Sequence, residues 1–117
     1  MTGKVIGEKE RLVFLGCEVP SVVAGMRVRT STDGESMTLS DRQGVKWRVS
    51  AMPPAGQTIQ RLDIWRRGED GTMEMYRQQD WRSSHEPGIA LERVKHWQIA
   101  EMKRKRRAER EQTGHSR

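Results

Sequence analysis

Five consecutive basic side chains lie near the C-terminal end of the sequence, at positions 103–107, and Arg110 follows three residues later. Arginine binds phosphate through two parallel hydrogen bonds, and lysine binds it as a compact positive charge. Neutralising several phosphates of a nucleic acid releases counterions, so such a segment binds tightly at low salt and weakly at high salt. The segment therefore predicts phosphate-binding residues at Lys103, Arg104, Lys105, Arg106, Arg107 and Arg110.

The net positive charge of the chain is confined to the same region. Residues 1–92 contain 13 basic and 13 acidic side chains, whereas residues 93–117 contain nine basic and three acidic ones and so hold the whole formal net charge of +6. Sixteen of the 22 basic residues are arginine, which suits an anionic partner better than solubility alone requires. This asymmetry indicates contact with nucleic acid. An acidic protein surface and a solvated tail are the alternatives.

The stretch from Lys103 to Arg110, with the sequence KRKRRAER, resembles the arginine-rich RNA-binding peptides of lambdoid phage antitermination proteins. The resemblance lies in composition and covers about a dozen residues. In those proteins the peptide occupies the N-terminus, whereas here it lies at the C-terminal end. The resemblance implies RNA as one candidate ligand, without assigning the chain to that family.

A second group of basic and aromatic side chains falls in the body of the chain. If Val28, Val49 and Leu62 face a core, alternation along strands places seven such side chains on the opposite face: Arg27, Arg29, Lys46, Arg48, Arg61, Trp65 and Tyr76. Basic residues interleaved with aromatic rings are typical of surfaces that hold single-stranded nucleic acid. Asp63 and Glu74 share this face, so an ordinary mixed-charge surface is the favoured alternative. A one-residue bulge near Trp65 would turn its ring into the core.

The four tryptophans have different expected roles. Trp47 belongs to the predicted core, and Trp97 is predicted to hold a helix against the body. Trp81 lies at the junction of body and helix and is given the same role. Trp65 is the tryptophan expected to be exposed, and an exposed tryptophan can also serve as a hot spot for a protein partner.

The residues that usually carry catalysis are scattered. His85, His96 and His115 match no metal-ligand spacing, and Cys17 has no neighbouring cysteine or histidine in the sequence. The sequence has no phosphate-cradling glycine loop, no dinucleotide-binding fingerprint and no nucleophile elbow. We therefore expect a protein that is not an enzyme and that uses neither a metal nor another cofactor.

The body of the chain has the pattern of half-buried strands, because apolar residues alternate with polar ones between turn sequences. Turns are predicted at Asp33-Gly34 and at residues 41–44 and 68–71. The pattern predicts an α+β fold: a small curled antiparallel sheet, or an SH3- or OB-like barrel, of about five strands followed by a C-terminal helix. The predicted core, rich in methionine, consists of Val28, Met37, Leu39, Val45, Trp47, Val49, Leu62, Ile64, Met73 and Met75.

The pattern changes after the last predicted strand. Residues 1–82 form the predicted β-rich body, and residues 83–88 form a linker of turn-forming residues. Residues 89–112 form a helix that is amphipathic first and basic afterwards, and residues 113–117 are predicted to be a disordered end. Because methionine-rich cores specify packing poorly, a protein partner or a second copy of the chain could complete the body.

These features predict a small nucleic-acid-binding accessory protein, of a phage or mobile element, that grips phosphates through its basic C-terminal helix; both RNA and DNA are open. The alternative is a protein-interaction module that uses the β body, such as a phage assembly or joining protein or an inhibitor of a host enzyme. The sequence has neither a secretory apolar region nor the ~20 apolar residues of a membrane span. The lone cysteine fits a reducing compartment, so the expected location is the cytoplasm, without membrane contact.

Overall fold

The structure is a computed structural model that describes residues 12–52, 61–80 and 86–115. Within these ranges the chain forms eight strands and one long helix. The elements are β1 (Leu12–Phe14), β2 (Cys17–Val19), β3 (Val22–Val23), β4 (Met26–Thr30), β5 (Ser36–Asp41), β6 (Gly44–Met52), β7 (Arg61–Arg67), β8 (Met73–Asp80) and α1 (Glu86–His115).

The strands pair in sequence order and antiparallel to one another, except that β2 does not pair with β3. Strands β3 to β8 make a six-stranded sheet in sequence order, and β1 pairs with β2 in a separate hairpin. The predicted α+β class, an antiparallel sheet followed by a C-terminal helix, is confirmed. The three predicted turns connect β4 to β5, β5 to β6 and β7 to β8.

Two tight hairpins near the start of the described chain were not predicted. Leu15-Gly16 joins β1 to β2 and Ala24-Gly25 joins β3 to β4, with positive φ at all four residues. Positive φ at both central residues is the requirement of the hairpin turns that match strand twist. Leucine and alanine rarely adopt this conformation, so residue type gave no signal for a turn at these positions.

One side of the sheet, here called the inner face, is covered by α1 and by the β1–β2 hairpin. Ala90, Leu91 and Val94 from the helix and Phe14 and Val19 from the hairpin belong to the same buried cluster as the sheet residues. The opposite side is called the outer face. Seven of the ten predicted core residues are buried in this cluster: Val28, Met37, Leu39, Trp47, Val49, Leu62 and Ile64.

The other three predicted core residues, Val45, Met73 and Met75, are not buried, because two β-bulges interrupt the alternation. Val45 is 37% exposed and Met75 is 40% exposed. The register skips Lys46 in β6 and Tyr76 in β8, so each of these strands carries one extra residue relative to its partner. Beyond an extra residue, each side chain of the strand points to the face opposite to the one that strict alternation predicts. Alternation therefore places Val45, Met73 and Met75 on the wrong side of the sheet.

Helix α1 extends three residues beyond the predicted helix 89–112 at each end. Pro87 lies in its first turn, where a backbone N–H has no partner within the helix, so the residue that indicated a linker is compatible with a helix start. At the other end, residues 113–115 continue the helix where a disordered end was predicted. The predicted linker residues 83–85 lie outside the described residues.

After Glu101, the part of α1 whose side chains are described is exposed on all sides. The described side chains from Met102 to Glu111 are all solvent-exposed, in contrast to the buried ones between Ala90 and Gln98. We call residues 103–115 the arm. At 1.5 Å per residue the arm is about 20 Å long, so the helix reaches well beyond its contact with the sheet.

Candidate nucleic-acid interface

Three aromatic rings hold the helix on the inner face. Trp97 stacks on Trp47 with ring centroids 5.9 Å apart, and Tyr76 meets both rings edge-on at 5.0 and 5.1 Å. The indole Nε1 of Trp47 donates a hydrogen bond of 2.8 Å to the side-chain oxygen of Gln98, which satisfies a polar atom within the core. Trp47 and Trp97 thus lie where they were predicted, and Trp81 lies outside the described residues.

An ion-pair cluster lies where the helix leaves the sheet. The Glu101 carboxylate contacts the Lys46 Nζ at 2.8 Å and the Arg66 guanidinium at 3.4 Å. Burial raises the pKa of Glu101, but the hydrogen bond from Lys46 and the charges of Lys46 and Arg66 outweigh burial, so this pKa lies below its usual value. The sequence analysis did not predict this cluster. Two signals could have indicated it: Glu101 is the one acidic residue between positions 93 and 109, and its helical spacing from Val94 places both residues on the same side of the helix.

Replacing Glu101 by glutamine is expected to lower the free energy of unfolding by about 1–3 kcal/mol near neutral pH, because the buried Lys46 ammonium loses its carboxylate partner. The pKa of this carboxyl is lower in the folded protein than in the unfolded one, where it is near 4.3. Such a group stabilises the folded protein fully at pH values above the unfolded pKa, and this stabilisation is lost as the pH falls through the folded pKa. Urea unfolding of both proteins at a series of pH values should therefore show the largest difference above about pH 5. The two proteins should converge as the medium becomes more acidic.

The combined variant Lys46→Met with Glu101→Leu is the control for this prediction. Replacing both partners of a buried ion pair by apolar residues often leaves the free energy of unfolding unchanged, whereas removing one partner leaves the other charge buried and unpaired. The combined variant should therefore lose less stability than Glu101→Gln alone. A loss in Glu101→Gln that is the same at neutral and at acidic pH would show that the carboxylate charge does not stabilise this contact.

All six predicted phosphate-binding residues of the arm are exposed. Positions i, i+3, i+4 and i+7 of an α-helix share one side, because successive residues are about 100° apart. Four of the six have this spacing, and we call them the basic stripe: Lys103, Arg106, Arg107 and Arg110. By the same angular rule the stripe lies opposite the side of α1 that carries Val94 and Glu101, so it faces away from the sheet.

Of the arginines that the sequence predicted to bind nucleic acid from the sheet, some are free to bind an anion and one is already paired. Arg27, Arg29 and Arg48 are exposed on the outer face and form no salt bridge with another residue of the described chain. Arg61 shares this face, but its Nε donates to Asp63 at 2.9 Å. The first three arginines are consequently the ones available to an anionic ligand.

The bulges correct the placement of two predicted residues. Lys46 and Tyr76, which alternation placed on the outer face, lie at the inner face, where they contact Glu101 and the tryptophan rings respectively. The bulge anticipated near Trp65 does occur beside it, but its extra residue is Tyr76 on the neighbouring strand. Trp65 therefore stays on the outer face, half-buried and directly opposite Arg48.

A shallow groove joins the helix to the outer face at the end of the sheet from which the arm departs. Its walls include Gln98 and Met102 from α1 and Arg27, Arg29 and Val45 from the sheet. The arm begins directly after Met102, so the groove brings two exposed arginines of the sheet close to its base. Sequence reasoning could not have found this groove, because Val45 was expected in the core.

Comparisons with family models, curated proteins and solved structures found no match for this chain. In the described ranges no helix is both long and apolar enough to cross a bilayer. The side chains described here include no group of three histidine, cysteine, aspartate or glutamate residues that could hold a metal ion, and His85 lies outside them. The functional inference therefore depends on the geometry of the arm and the sheet.

Proposed function

We propose that the protein is a small, non-enzymatic nucleic-acid-binding accessory protein that grips phosphates with its arm. The observation that supports this most strongly is the basic stripe, which presents four cationic side chains on one side of an exposed helix, turned away from the sheet. Ordinary solvated tails do not need this arrangement, whereas a phosphate backbone lies along one side of a helix that docks on it.

The dimensions of the stripe suit a phosphate backbone. Lys103 and Arg110 are seven residues apart, which corresponds to about 10 Å along the helix axis. The phosphates of one duplex strand recur about every 3.4 Å along the duplex axis, so the stripe spans about three intervals and can meet about four phosphates at once. Four contacts of this kind would make binding steeply dependent on salt.

The body of the protein supports the arm in two ways. The aromatic cluster and Glu101 fix the first half of α1 on the sheet, so the arm extends a helix whose costly first turn has already formed. The cations lie toward the C-terminal end of the helix, where the helix dipole favours positive charge. Both effects favour a helical arm before any ligand binds.

A second candidate function is a protein-interaction module, such as a phage assembly or joining protein or an inhibitor of a host enzyme. It is favoured by the adjacent positions of Trp65 and Met75 on the outer face, where Met75 is 40% exposed. Tryptophan is enriched among the hot spots of protein interfaces. In that case a chain without the arm would keep its partner.

Several finer features stay predictions from the sequence. They are the choice between RNA and DNA, a cytoplasmic location, an origin in a phage or mobile element, and closure of the curled sheet into an SH3- or OB-like barrel. Because the base-reading modules of known nucleic-acid-binding proteins have no counterpart in the sequence, we expect modest sequence specificity.

The proposed function is tested by comparing the full chain with a chain that ends at Met102. This end point retains Glu101 and its partner Lys46, whereas an earlier end would leave a buried lysine unpaired. Fluorescence anisotropy would measure binding to single-stranded DNA, duplex DNA and an RNA hairpin at roughly 50 and 200 mM salt. We expect the full chain to bind at least one ligand at low salt, to weaken tenfold or more at high salt, and to lose binding without the arm.

Circular dichroism and urea unfolding of the shortened chain provide the control that the body is still folded. Binding by the shortened chain that equals binding by the full chain would remove the arm from the interface. Failure of the full chain to bind any of the three ligands at low salt would overturn the proposed function.

A further inference from the structure

We propose that the outer face of the sheet continues the path of the arm and takes single-stranded nucleic acid, with a base stacked on Trp65 and phosphates held by Arg29 and Arg48. This inference rests on the proposed function. It adds the class of ligand, which the arm alone leaves open, because an exposed basic helix contacts the phosphates of single and double strands alike.

The strand register aligns the residues that would make these contacts. Five residues lie opposite one another across neighbouring strands and therefore share one face, a set that we call the outer row: Arg29, Thr38, Arg48, Trp65 and Met75. With about 4.8 Å between neighbouring strands, the Cα atoms of Arg29 and Arg48 are about 10 Å apart, and that of Trp65 lies about 5 Å beyond Arg48. The outer row thus places one cation beside an aromatic ring and a second cation further along on the same side.

The outer face has three arginines without a salt bridge to a described residue, whereas its carboxylates lie beside arginines or are buried. Arg27 lies on the same face as Arg29 and, like Arg29 and Arg48, forms no salt bridge with a residue of the described ranges.

Two carboxylates of the outer face lie near Arg61, which pairs with Asp63 and lies opposite Asp80 in the register. A third, Asp41, lies at the arm end, where the Arg67 guanidinium compensates it at 2.7 Å. Asp63 is only 5% exposed, so it presents little negative charge to a ligand.

Glu74 is the other acidic residue that alternation placed beside these arginines. The register sets Glu74 opposite Arg66 instead. Arg66 is an inner-face residue, since its guanidinium lies 4.6 Å from the centroid of the Tyr76 ring and contacts Glu101. The bulge at Tyr76 thus removes Glu74 from the outer face and from the neighbourhood of Arg48.

Trp65 supplies the group that distinguishes single from double strands. Its half-buried ring lies between Arg48 and Met75 in the outer row, and Met75 is 40% exposed. A base can stack on such a ring only when its face is free, as it is in a single strand and not inside a duplex. Arg48 beside the ring and Arg29 two strands further along can hold the phosphates that follow the stacked base on that side.

The basic stripe and the outer row face in opposite directions, and the groove at the base of the arm lies between them. Gln98 and Met102 line it from the helix, and its charged residues come from the sheet and the turn after β5: Arg27, Arg29, Arg42 and Asp41, whose carboxylate pairs with Arg67. A flexible strand can therefore pass from the basic stripe through the groove to the outer row. A stiff duplex cannot follow this turn without bending, which costs free energy.

The test compares Trp65→Ala with Trp65→Phe, each in the full chain, by fluorescence anisotropy. The ligands are an oligothymidine of about 12 nucleotides, within the usual range of site sizes, and a duplex of the same length. Stacking of one base corresponds to a loss of roughly tenfold in affinity when its ring is removed. We expect Trp65→Ala to lose about this factor for the single strand and less than twofold for the duplex, whereas Trp65→Phe keeps most of the single-strand affinity.

Two results would overturn the inference. The first is an unchanged single-strand affinity of Trp65→Ala, which is also the result expected if the outer face serves a protein partner. The second is an equal loss for the single strand and the duplex, which would indicate a general effect on the fold. Either result would leave the proposed function intact provided that removal of the arm abolishes binding, so the two proposals fail separately.

Discussion

Replacing Lys103, Arg106, Arg107 and Arg110 together by glutamine is expected to weaken nucleic-acid binding by roughly a hundredfold or more at low salt. These four exposed residues form the basic stripe, and each phosphate contact contributes about 0.9 to the slope of log affinity against log salt on duplex DNA. Losing four contacts should therefore flatten this slope by about 3.6, or by about 2.8 on a single strand. Anisotropy titrations over a range of salt concentrations measure both quantities.

The matched control for the stripe is a pair of double variants that remove the same charge. Arg106→Gln with Arg110→Gln removes two stripe residues, whereas Arg104→Gln with Lys105→Gln removes two exposed residues on other sides of the arm. If the stripe is the binding side, the first double variant loses clearly more affinity than the second. Equal losses would show that the arm acts through its total charge alone, and no loss in the fourfold variant would exclude the basic stripe from binding.

Replacing Trp47 by alanine is expected to lower the free energy of unfolding by about 3–5 kcal/mol, the range for a large aromatic residue removed from a core. Trp47 is fully buried, stacks on Trp97 and donates the hydrogen bond that Gln98 accepts. The variant therefore loses a packed ring and leaves a cavity at the contact between sheet and helix. It also leaves the buried amide oxygen of Gln98 without its hydrogen-bond donor. Urea unfolding followed by circular dichroism measures the loss, and the midpoint of thermal unfolding should fall by more than about 10 °C.

Trp65→Ala is the control for this prediction, since it makes the same chemical change on the other side of the same sheet. Trp65 is half-buried on the outer face, so its removal should cost less than half as much as that of Trp47. The two variants also separate stability from binding: Trp47→Ala should unfold more easily, and Trp65→Ala should fold normally and bind a single strand more weakly. Similar losses of stability would contradict the assignment of Trp47 as the central contact of α1.

Residue patterns were sufficient for the strands β4 to β8, for the helix and for most of the core. The turns at Asp33-Gly34 and at residues 41–44 and 68–71, together with the apolar alternation between them, located the strands β4 to β8. The alternation predicted the wrong face at the ends of two strands. Val45 and Met75 are exposed because β6 and β8 each contain a bulge. Bulges depend on how two strands pair, which a single strand's composition does not reveal.

The candidate site shows the same division. Exposure of the arm followed from its residue types, because a helix segment with almost no apolar side cannot pack on a core. The outer row was anticipated only in part, since alternation identified Arg29, Arg48 and Trp65 but added Lys46 and Tyr76, which the structure places on the inner face. The contact of Glu101 with Lys46 joins residues far apart in the chain, and such a pair leaves no local pattern.

The sequence by itself determined the neutral body, the basic run and the type and order of the main elements, because charge and periodicity are local properties of the chain. Only the tertiary structure decided which side of each strand is covered and where the helix leaves the sheet. The physical reason is that two bulges and the packing of the helix determine which side of the sheet is buried, and both depend on contacts between residues far apart in the chain. These contacts turn Trp65 and three arginines outward and direct the basic stripe of the arm away from the sheet.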